Sequence, residues 1–159
     1  MGGYSPREPL NHLSAARRRP PEVTPVNLVL WIIQILLAVV FVGAGLAKLT
    51  QPKEKLRDRM AWVDPVPPTQ VKALGAVEVL AAVGLVLPAL TGIATVLTPL
   101  AAVGLVIVMI GAILVHLRDR KKRDTAAERR TEIQGAITCA VLLVLAAVVA
   151  WGRFGPYSF

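Results

Sequence analysis

Four apolar runs, each about twenty residues long, constrain this chain more than any other feature. They fall at residues 27–48, 71–90, 93–115 and 133–151, and at about 1.5 Å of rise per residue each crosses a hydrocarbon core of roughly 30 Å as an α-helix. Backbone amides in a bilayer have no water to bond, so a chain with such runs satisfies them inside helices. The reading is an all-α polytopic membrane protein, a four-transmembrane-helix bundle in the plasma membrane, with no soluble catalytic domain. Composition agrees, since 55% of the 159 residues are hydrophobic and the mean hydropathy is +0.60, more than soluble domains of this size carry.

Eighteen Lys and Arg against ten acidic residues leave a formal charge of +8. On a soluble surface such a balance would suggest nucleic acid as a partner. Here the basic residues lie between the apolar runs, as cationic loops facing anionic lipid do, so membrane lipids are the expected partners and nucleic acid is not. The runs also set the orientation. With four crossings, the stretches 48–72 and 116–132 share one face and hold thirteen of the eighteen Lys and Arg, leaving Arg7, Arg17, Arg18, Arg19 and Arg153 on the other. The excess puts the two long loops in the cytoplasm and both termini outside, although the Arg17–Arg19 cluster before the first run pulls the other way.

Residues 1–26 contain five prolines and the arginine cluster and read as a disordered basic tail; residues 152–159 read as a short C-terminal tail. Gly45-Leu46-Ala47 resembles a signal-peptidase site, but the run before it is longer than the 7–15 apolar residues of a signal peptide, which favours a retained span. Between the first two runs, Leu56, Met60 and Val63 recur at helical spacing among Lys53, Glu54, Lys55, Arg57 and Asp58. That pattern fits a short interfacial helix with Trp62 at its edge, or a solvated charged loop. Only Thr91 and Gly92 separate the second and third runs, which predicts a tight hairpin, and Pro99 is expected to kink the third helix.

Motifs for self-contained catalysis are missing: there is no HExxH, no GxxxxGK[ST] and no GxSxG. The single cysteine, Cys139, excludes a dithiol pair within one chain and reads as a small buried hydrophobe. The chemistry that remains is intramembrane. Glu78 is the one acidic residue well inside an apolar run, and such residues face a bundle interior and a partner. Gly75 and Ala82 share its helical face and let another helix approach closely. Topology brings Lys48 from helix one, His116 from helix three, and Glu132 and Gln134 at the start of helix four to the same leaflet. Lys48, Glu78, His116 and Gln134 therefore form a candidate polar cluster. One reading is an anchor lysine, an interfacial histidine and a structural ion pair; the other is a polar pocket that handles protons or binds a quinone-like or lipid headgroup. Arg118, Arg120, Lys121, Lys122 and Arg123 form a basic loop suited to acidic proteins or anionic lipids.

The segments Phe41-Val42-Gly43-Ala44-Gly45-Leu46-Ala47-Lys48-Leu49, Ala73-Leu74-Gly75-Ala76-Val77-Glu78 and Gly111-Ala112-Ile113-Leu114-Val115-His116-Leu117-Arg118, in this order and spacing, resemble the DoxX-like family of small four-helix membrane proteins over residues 28–151. Lys48, Glu78 and His116 match that family's polar positions, while the Pro- and Arg-rich tail and the long 116–132 loop depart from its pattern. The family takes its name from a subunit associated with thiosulfate:quinone oxidoreductase and terminal quinol oxidase. The resemblance therefore implies protein partners in a membrane redox complex, with quinone as the one cofactor to consider. Three expectations follow: a non-catalytic subunit or scaffold, a quinone-binding oxidoreductase component, or a small carrier or channel. A likeness to four-helix quinone reductases of the vitamin K epoxide type fails, because those need a dithiol.

Overall fold

A computed structural model describes residues 25–159. The described chain is helical throughout: α1 spans Pro25–Thr50, α2 Lys53–Arg59, α3 Pro68–Thr91, α4 Leu97–Arg120 and α5 Ala126–Phe154, with a 3-10 turn over Ala61–Val63. Four of these, α1, α3, α4 and α5, are long and apolar enough to cross a membrane. Neighbours run antiparallel. α1 packs mainly on α3 and α4 mainly on α5, so the bundle is two hairpins laid side by side.

The surface is inverted relative to a soluble protein. Leu80 is 70% exposed and Ile107 64%, and rows of Leu, Ile and Val cover the outward faces of all four long helices. Water would not tolerate that surface, but lipid tails do. Inside, Leu37, Phe41, Leu85, Leu105, Met109 and Val149 interlock in a continuous core.

Helix ends follow local chemistry rather than hydropathy. Pro67 precedes Pro68, which opens α3 in the first turn, where a missing N–H is harmless. Gly92 closes α3 in the left-handed region at φ 69°, its N–H bonding Pro88 O at 3.0 Å. Thr125 caps α5: its hydroxyl accepts from Glu128 N–H, and the Glu128 carboxylate accepts from Thr125 N–H, each at 3.2 Å.

Several expectations change accordingly. α5 starts seven residues earlier than its apolar run and α4 ends five later, so most of the 116–132 segment is helix, with only the turn between Arg120 and Ala126 connecting them. α4 starts at Leu97, not 93, so residues 92–96 form a real loop and the hairpin is less tight than expected. Pro99 then falls in the first turn of α4, where the N–H that proline lacks would have no intrahelical partner, so the reason to expect a kink there falls away. The expected disordered tail lies outside the described residues, except that Pro25 and Val26 begin α1; in the 152–159 tail, Gly152, Arg153 and Phe154 are helical. The charged 53–63 stretch is a short helix rather than a solvated loop: Leu56 and Val63 are buried against Val71, with Ala47, Met60 and Trp62 around them.

Candidate functional site

At the end of the bundle where α1 finishes and α3 begins, two glycines set the distance between helices. A Cβ on Gly45 would come 2.7 Å from Gly75 O, and one on Gly75 would come 2.8 Å from Gly45 O and from Lys48 Cβ. No larger residue fits on either side. Because Lys48 follows Gly45 by three and Glu78 follows Gly75 by three, the close crossing presents both side chains to the same gap. Lys48 Nζ donates to Glu78 Oε2 at 2.7 Å, with both side chains 5% exposed. Lys48 thus makes a buried ion pair across α1 and α3 rather than snorkelling as an anchor.

α4 and α5 meet at the same end through a third glycine. The His116 imidazole lies on Gly135, where a Cβ would be 2.5 Å from Cε1 and 2.8 Å from both Nδ1 and Nε2. Nδ1 is 2.8 Å from Glu132 Oε2. The other oxygen, Oε1, accepts from Arg123 Nε at 3.2 Å and Nη2 at 2.9 Å. A carboxylate that accepts two guanidinium bonds is ionised, so the Nδ1 of His116 is the donor toward it. The Arg120–Ala126 turn is what folds Arg123 back over Glu132.

Between these two pairs lies a cavity of about 820 Å³. Phe41 and Ala44 of α1, Leu74 of α3, Met109 and Ala112 of α4 and Leu142 of α5 give it apolar walls, and Lys48, Glu78, His116 and Glu132 make its polar end. Arg57, Asp58, Met60 and Trp62 line it from the loop side. α1 and α5 touch at the far end, where Gly152 receives Leu30 and Arg153 reaches Gln34; toward the loop end both become cavity walls.

Of the four residues expected to cluster, Lys48 and Glu78 pair with each other, and His116 pairs instead with Glu132. Gln134 is exposed on the cavity rim and makes no side-chain hydrogen bond to any described residue. Two residues along an α-helix amount to about 200° of rotation, so Glu132 and Gln134 cannot serve the same contact. Cys139, read as buried, is half-buried and lines the cavity. In the basic segment, Arg118, Arg120 and Lys121 are exposed, Lys122 stands 3.6 Å from Asp119, and Arg123 is drawn inward onto Glu132.

The opposite end holds a polar cluster that hydropathy did not reveal. Gln34, fully buried, donates to Leu85 O at 2.7 Å and accepts from Arg153 Nε at 2.7 Å. Arg153 Nη1 reaches Asn27 Oδ1 at 2.7 Å and Tyr157 O at 2.9 Å, and the guanidinium lies 4.0 Å from the Phe159 ring centroid. Arg153 also sits in the last turn of α5, where the helix dipole favours a cation. This end ties α1 to α5 and closes the bundle.

A family model described as DoxX-like matches residues 32–149. No curated protein and no solved structure compared with the chain matches it.

Proposed function

The chain belongs to the DoxX-like family, and from that premise we propose that it is a non-catalytic membrane subunit that holds a quinone-type headgroup for a redox assembly in the plasma membrane. The cavity carries this reading. Its volume falls in the range of roughly 300 to 1,000 Å³ used for small-molecule sites, with mostly apolar walls and a few convergent polar groups. A quinone has that same division, an apolar ring and tail with two oxygens. Lys48 supplies a donor from α1 and the imidazole a second polar contact from α4, while the apolar walls accept the ring. The pairs Lys48–Glu78 and Arg123–Glu132 each cancel in charge, so the cavity suits a neutral amphiphile better than an anionic lipid headgroup.

The exposed Arg118, Arg120 and Lys121, with the exposed Lys55, Arg57 and Lys72 of the 48–72 stretch, give the same end a cationic rim for an acidic partner subunit. Protein purified in mild detergent, extracted with organic solvent and chromatographed, tests the reading. Near-stoichiometric quinone, lost when Ala112→Phe fills the cavity, is the expected result. Protein that carries no quinone and takes up none from a short-tailed analogue would overturn it.

A further inference from the structure

Lys48 and Glu78 satisfy each other only in part. Of the Glu78 carboxylate, Oε2 accepts from Lys48 Nζ at 2.7 Å, while Oε1 takes no hydrogen bond from any described residue. Oε1 is not sealed off either. Among the described residues, the side-chain atoms that are both fully enclosed and unpartnered are Thr98 Oγ1 and Arg153 Nη2, so Oε1 keeps some open surface, and the space it opens onto is the cavity that Glu78 lines. Lys48 lines the same cavity and supplies the complement. Of the three N–H groups on its ammonium, one goes to Oε2, one turns toward Ala44 O at 3.5 Å, and the third meets no acceptor among the described residues. The pair thus holds a spare donor and a spare acceptor side by side at the polar end of the cavity.

From this arrangement we infer that the cavity selects the reduced form of its ligand, the hydroquinone, over the quinone. A phenolic hydroxyl donates to Glu78 Oε1 and accepts from Lys48 Nζ at once, whereas a quinone carbonyl has no hydrogen to give. Lys48 by itself does not discriminate, because the ring oxygens of both forms accept. Glu78 does. A quinone that displaces water from Oε1 brings only lone pairs and leaves a carboxylate oxygen unpaired between apolar walls. An acceptor left unmet in this way corresponds to a loss of affinity of about ten- to a hundredfold.

The inference rests on the cavity taking quinones, and it adds which oxidation state is held. It also fixes a direction for the potential. Two electrons and two protons separate quinone from hydroquinone, so a tenfold preference for the reduced form raises the midpoint of the bound couple by about 30 mV, and a hundredfold preference by about 60 mV. Bound quinone is then a stronger electron acceptor than the same quinone free in lipid.

Durohydroquinone and duroquinone share one methylated ring and differ in oxidation state alone, so they are the probes. Anaerobic equilibrium dialysis of the full chain in mild detergent, with uptake by empty micelles subtracted, gives both dissociation constants. Durohydroquinone should bind at least about tenfold tighter than duroquinone. Its dimethyl ether, which keeps both oxygens and loses both donors, should fall back to the level of the quinone. In Glu78→Gln the amide oxygen accepts from Lys48 and the amide N–H groups face the cavity, so the preference should vanish or reverse; a merely structural Glu78 would weaken both forms alike. Thermal melts identify an unfolded variant, and the dimethyl ether decides the matter on wild type if Glu78→Gln melts early. Equal affinities for the two forms, a dimethyl ether that binds as tightly as durohydroquinone, or an unchanged preference in folded Glu78→Gln each refutes the selection and leaves the cavity reading intact. No saturable binding of either form refutes both.

Discussion

Breaking the Lys48–Glu78 pair one side at a time should have unequal effects. The side chains meet at 2.7 Å and are 5% exposed, and removing one partner of a buried pair usually destabilises by about 3 to 5 kcal/mol, because the other charge is left without compensation. Depth separates the two cases. Lys48 lies two residues from the end of α1, so after Glu78→Ala its long stem can carry the ammonium to the interface, limiting the loss to about 2 to 3 kcal/mol. Glu78 lies ten residues into α3, roughly 15 Å along the axis, and its short side chain has no such route. Lys48→Ala should therefore cost the full 3 to 5 kcal/mol or so. The double mutant removes both charges and should lose at least about 2 kcal/mol less than the two single losses combined. Reversible unfolding in mixed micelles, monitored by circular dichroism, gives all three values. Additivity within about 0.5 kcal/mol, or a larger loss for Glu78→Ala than for Lys48→Ala, would refute this account of the pair.

The remaining expectations concern packing, topology and the basic rim. Gly45→Val and Gly75→Leu should separate α1 from α3 and lower the melting temperature sharply, whereas Gly43→Ala, where a Cβ meets nothing within 4 Å, should be neutral or gain up to about 1 kcal/mol from helix propensity; thermal melts in one detergent decide it. Fusions of alkaline phosphatase and a fluorescent protein at the C-terminus should give phosphatase activity and no fluorescence, with the 120–126 turn on the cytoplasmic side; the reverse pattern would invert the orientation. Replacing Arg118, Arg120 and Lys121 by Gln should leave membrane insertion intact and release an acidic partner at lower salt than wild type, as read by co-elution from mild detergent, and unchanged co-elution would argue that these charges set topology alone.

The four crossings were legible because lipid selects for long apolar runs, and the Lys48–Glu78 gap was legible because an even number of antiparallel spans returns their ends to one face. The partner of His116 was harder to read. Hydropathy marks where the hydrocarbon ends, not where a helix ends, and α4 and α5 both continue into water. That shifts Glu132 from a loop into the first turns of a helix, and helical rotation then decides between Glu132 and Gln134. One signal was available, since Thr125 followed by Glu128 is the spacing of a capping box and places the start of α5 at Ala126. Gly135 carried the other, but a lone glycine in an apolar run does not say which side chain it admits. The Arg153–Gln34 cluster was hidden for a similar reason: each residue looks isolated in sequence, and only the return of α5 beside α1 brings them within 2.7 Å.

Quinone titration followed by Trp62 fluorescence tests the central claim most directly. Trp62 lines the cavity, while Trp31 and Trp151 lie at the far end with Phe159 and Tyr157, so Trp31→Phe with Trp151→Phe leaves one reporter at the site. A short-tailed quinone should quench it saturably, and Ala112→Phe should abolish the saturable component while the fold melts as before. Linear, unsaturable quenching that is the same with and without Ala112→Phe would mean that the quinone dissolves in the micelle and that the cavity holds none.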